Sequence, residues 1–176
     1  MDTTTVNKLY DMTNFAPIWT YINTPENTCD TKLIDNIDTS IFHSLNVRDA
    51  LILTTMNENL SYDDITRFLN NPVAPSSTRI AYECLSTMIY NPSYIINTPR
   101  IERTIDLMNT LKTRDTNPQF TACAFAVNAY LSWILGNTMQ AKSYNRQALE
   151  QDKHYTLALI TEKALTHRIR PAYLNK

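Results

Sequence analysis

Glycine occurs once in this chain of 176 residues, at position 136. β-Sandwiches and barrels turn through many glycine-dependent corners, and phosphate-cradling loops need glycine where backbone approaches ligand. One glycine excludes both and points to an all-α chain. Cysteine is also scarce: Cys29, Cys84 and Cys123 are odd in number and form no CxxC pair. Two of them fall on apolar helical faces, so buried, reduced thiols in a cytoplasmic protein are expected. No apolar run approaches the roughly 20 residues of a membrane span. The opening MDTTTVNKLYD is acidic and polar where a signal peptide is basic and then apolar. A soluble, cytosolic protein is expected, with no membrane contact.

The usual carriers of chemistry are missing as well. His43, His154 and His167 share no metal-ligand spacing with one another, with cysteine or with a carboxylate. There is no phosphate loop, no GxSxG, no HExxH and no cysteine beside an obvious base. Asp63-Asp64 is an adjacent carboxylate pair, but neighbours on a helix point about 100° apart, and both stand where a helix starts. Capping explains them. The expectation is therefore a protein that is not an enzyme and holds no metal or cofactor.

What is present is helical periodicity. With 43% hydrophobic residues the chain can fill one core. Residues 1–30 show no lasting period, yet carry Tyr10, Phe15, Trp19 and Tyr21 around Pro17 and Pro25. They read as an irregular aromatic arm packed on a single all-helical domain over 31–176, with a short helix possible from Pro17 to Ile22. Leu33, Ile34, Ile37, Ile41 and Leu45 mark a helix that breaks near Asp38. Asn46 reads as the cap of a nearly all-apolar helix over Val47–Met56, and Ser61 with Asp64 as a capping box ahead of Ile65, Phe68 and Leu69. Further helices open at Pro75 and at Thr98-Pro99. From Phe120 to Leu135 nearly every position is apolar, leaving Thr121, Asn128 and Ser132 as a polar stripe. Gly136 then ends that helix through the left-handed conformation, and a helix carrying Ala141, Tyr144 and Ala148 folds back antiparallel. A last packed face runs from Leu157 to Leu165. The fold class expected is a compact bundle of about seven or eight helices without strands.

The run GNTMQAKSYNRQALEQDKHY resembles the second half of a tetratricopeptide repeat, with glycine at the turn, then Ala141, Tyr144, Ala148-Leu149 and Asp152. Ala122, Ala126 and Ala129 in the preceding helix fit the same pattern, while Lys153 stands where that repeat usually has proline. Stepping back 34 residues from Gly136 reaches Glu102, in a differently patterned helix, so this is one repeat-like hairpin and not a solenoid. A longer stretch is similar to the C-terminal half of an actinobacterial protein family of unknown function: Val47-Arg48-Asp49-Ala50-Leu51, the hairpin with Trp133 and Gly136, then Asp152, Tyr155, Leu157-Ala158 and Pro171. It covers about residues 46–173 and is firmest over 120–173. Members of that family usually carry an α/β half ahead of this part, which nothing here matches. The resemblance implies a helical module of a bacterial cytoplasm or a mobile element, and it supplies no catalytic residues.

Charge is divided unevenly. Residues 1–75 hold ten acids and four bases, a net of −6; residues 76–176 hold seven acids and twelve bases, a net of +5. The candidate interaction residues are Arg48 and Asp49, which begin the very apolar helix and would pair with a neighbouring helix if buried, together with Arg146, Arg168 and Arg170. The basic run from Lys163 to Lys176 with Arg100, Arg103, Lys112 and Arg114 offers phosphate contacts, although cations near helix C-termini also answer the helix dipole. Another protein is the expected partner. Nucleic acid, or inhibition of a nucleic-acid-handling machine, is the rival, and self-association through an apolar helix face stays open.

Overall fold

The computed structural model describes residues 3–24 and 32–175, with side chains from residue 13 onward. The described residues are helical throughout their regular structure and contain no strand. Nine α-helices lie among them: α1 Thr3–Asn23, α2 Lys32–Asp35, α3 Leu45–Met56, α4 Tyr62–Asn70, α5 Pro75–Tyr90, α6 Thr98–Arg114, α7 Pro118–Ile134, α8 Thr138–Gln151 and α9 Thr156–Thr166. Short 3-10 turns occupy Thr39–His43 and Ala172–Leu174. The chain divides into two compact units, Met1–Leu85 and Ser86–Lys176, and the division falls inside α5.

The first unit corrects the reading of an irregular arm. Residues Thr3–Asn23 form one helix that runs through Pro17, and Phe15, Ile18 and Ile22 are fully buried at spacings of three and four. Proline inside a helix costs about 3 kcal/mol, which burial of three large apolar side chains at roughly 2 kcal/mol each can offset. Residues 25–30 of the expected arm lie outside the described residues. The α3 helix is apolar all round because it is central: Val47, Ala50, Leu51, Leu53 and Met56 are buried, and the Thr55 hydroxyl donates to the Leu51 carbonyl at 2.7 Å. Its cap is Ser44 and not Asn46. At α4 the expected capping box is present, with Asp64 N–H donating to Ser61 Oγ and Ser61 N–H donating to the Asp64 carboxylate. The hydrogen bonds from Ser61 hold the Asp64 carboxyl below its ordinary value. Trp19 of α1 lies against Tyr62 of α4, ring centroids 5.6 Å apart. Cys84 is buried, and desolvation pushes its thiol up to about 11.

The second unit is built around α7. Every residue from Ala122 to Ile134 is buried, and α6, α8 and α9 all pack against this helix. Within the polar stripe of this helix, Asn128 and Ser132 are fully buried. Asn128 is partly satisfied: while its Oδ1, like Ser132 Oγ, has no hydrogen-bond partner among the described residues, its Nδ2 donates to Asn109 Oδ1 of α6 at 2.9 Å, and Asn109 Nδ2 in turn donates to the Tyr144 hydroxyl of α8 at 3.2 Å. Buried polar groups need such partners. Beside this chain, Lys112 Nζ sits 3.9 Å over the Phe125 ring, and burial lowers the lysine below its ordinary value.

Gly136 closes α7 as expected, with φ +80°. Its N–H donates to the Trp133 carbonyl at 3.0 Å and the Asn137 N–H to the Ser132 carbonyl at 2.9 Å, the paired bonds of a Schellman turn. A second constraint acts there. A Cβ at Gly136 would lie 3.2 Å and 3.3 Å from the two methyls of Leu174, so the chain end packs directly on the glycine. The Tyr173 hydroxyl, one residue earlier, donates to the Ile134 carbonyl, and its ring lies 5.8 Å from that of Tyr94. Burial, and secondarily Tyr94, raises the Tyr173 hydroxyl well above its ordinary value.

Candidate interaction cleft

The helix order of the second unit leaves a cleft of about 860 Å³ between α8, α9 and the segment after α9. The α8 helix contributes Thr138, Lys142, Asn145, Arg146, Leu149 and Glu150, whose spacings of three and four place them along one side. From α9 come Glu162, Leu165 and Thr166, and from the tail Arg168, Ile169, Arg170 and Leu174. Trp133 and Gly136 line the end where α7 stops.

The tail holds its side of the cleft because α9 ends in a second Schellman turn. Arg168 N–H donates to the Leu165 carbonyl at 3.4 Å and Ile169 N–H to the Ala164 carbonyl at 2.8 Å. The left-handed residue in this turn is Arg168, φ +56°, which among the described residues is the sole non-glycine with positive φ. Trp133 Nε1 then donates to the Ile169 carbonyl at 2.8 Å, a bond across 36 positions of sequence that ties the tail to α7.

The cleft is amphipathic and carries more positive than negative charge. Lys142, Arg146, Arg168 and Arg170 face Glu150 and Glu162, over Leu149, Leu165 and Ile169. Arg146 and Glu150 approach to 3.7 Å with both side chains more than half exposed, a pair worth about 0.3–0.5 kcal/mol. Asn145 is buried, and its Oδ1 has no hydrogen-bond partner. The lining thus combines apolar side chains with charged ones of both signs. Among the described residues no group of three or more His, Cys, Asp and Glu could hold a metal ion.

Of the five residues singled out from sequence, Arg146, Arg168 and Arg170 come together here. Arg48 and Asp49 lie in the first unit, on α3. Arg48 is buried and forms an ion pair with the adjacent Asp49, Nη2–Oδ1 2.6 Å and Nε–Oδ1 2.8 Å. A long guanidinium can fold back on the carboxylate next to it, which remains half-exposed. Sequence reasoning missed Lys142, Leu149, Glu162 and Ile169 as members of the site. The charged α8 positions were legible by their spacing, but nothing periodic connects them with a tail placed by Trp133.

No protein-family model, no curated protein and no solved structure matches the chain. Among the described residues no helix is long and apolar enough to cross a membrane.

Proposed function

We propose that this protein is a non-enzymatic binding module whose α8–α9–tail cleft receives a peptide segment of another protein. The observation that carries this reading is the cleft itself: apolar side chains flanked by charged ones, in a space of about 860 Å³ bounded by rigid helices. Binding sites commonly combine an apolar floor with a few polar groups that fix orientation. The helical hairpin α7–α8, turned by Gly136, has the form that the tetratricopeptide-like reading of residues 120–151 calls for. Buried free thiols at Cys84 and Cys123 fit a reducing bacterial cytoplasm.

Affinity capture from host cells tests the reading when wild type is compared with Leu149→Lys, which sets a cation in the apolar part of the cleft. A protein retained by wild type and lost in the variant is the expected result. Capture of nucleic acid, with affinity falling steeply as salt rises and indifferent to the variant, would replace this reading with the nucleic-acid one.

A further inference from the structure

The charges of the cleft identify the kind of peptide that fits, an inference that rests on the peptide-binding reading of the same site. We propose that the occupant is an acidic segment carrying a large apolar side chain, and that Arg168 is the main residue binding its carboxylates.

Charge complementarity is the first ground. Among the described residues, Lys142, Arg168 and Arg170 have no carboxylate within ion-pairing distance, and Arg146 shares Glu150 only at 3.7 Å. These cations line one cleft from α8 and from the tail, an excess of positive over negative charge that an anionic segment would complement. The apolar component is the second. Ile169 is half exposed among those cations, a position suited to contact with an aliphatic or aromatic side chain. Together they favour a peptide over a nucleic-acid strand. A strand presents phosphate at every nucleotide and would meet Glu150 and Glu162 as well as the bases. A peptide can place carboxylates opposite the arginines and leave the rest of its length uncharged.

Arg168 stands apart from the other cations by its backbone. It holds a left-handed conformation that glycine would adopt without strain, at the turn that aims the tail along the cleft. Strain of this kind persists where the side chain is useful. What arginine supplies there, and glycine would not, is a planar donor fork matched to a carboxylate.

The test uses the full-length protein and labelled twelve-residue peptide pools that share leucine and phenylalanine but differ in charge: Asp/Glu, Ser/Gln or Lys/Arg. A single-stranded DNA of the same length is a fourth probe. Anisotropy gives affinity, and the Trp133 indole resonance, separated from that of Trp19 by a Trp133→Phe control, reports occupancy of the cleft. The acidic pool is expected to bind at least about tenfold more tightly than the others and to move the Trp133 signal. Arg168→Gly is expected to weaken it about tenfold while the unfolding midpoint stays level or rises, a combination that a merely structural role would not give. Preference for the neutral or basic pool, lost in Leu149→Lys, would overturn the acidic assignment and leave the peptide-binding reading standing. Undiminished acidic binding in Arg168→Gly would overturn the role of Arg168. If DNA is preferred, or no peptide pool moves the Trp133 signal, both readings fall.

Discussion

The second unit ends two helices with the same pair of backbone hydrogen bonds, once through Gly136 and once through Arg168. The two turns differ in what lies on them. At Gly136 the methyls of Leu174 stand where a side chain would begin, so space and dihedral angle both exclude a Cβ. At Arg168 the side chain is exposed and opens onto the cleft, so a Cβ strains the backbone without striking a neighbour. The turn under the tail has to be glycine; the turn beside the cleft has only to tolerate its residue. That arrangement lets a chain with one glycine place a guanidinium at a position which packing alone would leave bare.

Three substitutions would break or sharpen the contrast. Gly136→Ala should have the largest effect, lowering stability by about 1–3 kcal/mol, because it combines left-handed strain with a displaced Leu174. Chemical denaturation measures it, and a loss no greater than a few tenths would show that the two turns are equivalent.

Tyr173→Phe should cost about 1 kcal/mol by leaving the Ile134 carbonyl without its donor. It has a pH signature too. Burial raises the folded-state pKa of this hydroxyl above its ordinary value, so its contribution is complete below about pH 10 and is lost as pH rises further. The difference in stability between wild type and Tyr173→Phe should therefore shrink in alkali. A difference that grows with pH would contradict the burial seen for the ring.

Arg168→Gly should have the smallest effect and the opposite sign, a gain of up to about 1 kcal/mol as strain is relieved, reduced by the greater freedom glycine has when unfolded. Thermal melts of this variant alongside Gly136→Ala would read the comparison directly, one falling and one level or rising.

Residue types with a conformational or periodic signature made their positions legible in the sequence. Gly136, the Ser61–Asp64 box, the apolar α3 and the buried α7 follow from local chemistry. The α1 helix was hidden because threonine and asparagine dilute its pattern and Pro17 reads as a break, while burial of Phe15, Ile18 and Ile22 outweighs both. Enclosure of Asn128 depends on Asn109, nineteen residues away on another helix, which no local pattern records. The cleft was half legible for a related reason. Arginine does not announce a left-handed turn, and the bond from Trp133 to Ile169 that sets the tail in place joins residues without any periodic relation.

The helix Pro75–Tyr90 has a practical bearing on any attempt to take the molecule apart. The boundary between the units lies after its eleventh residue, Leu85. A fragment starting at Ser86 would begin in mid-helix, with its first amides stripped of their carbonyl acceptors and only a single turn left to fray. Expression of the C-terminal unit by itself should therefore start ahead of Pro75, keeping the rod whole.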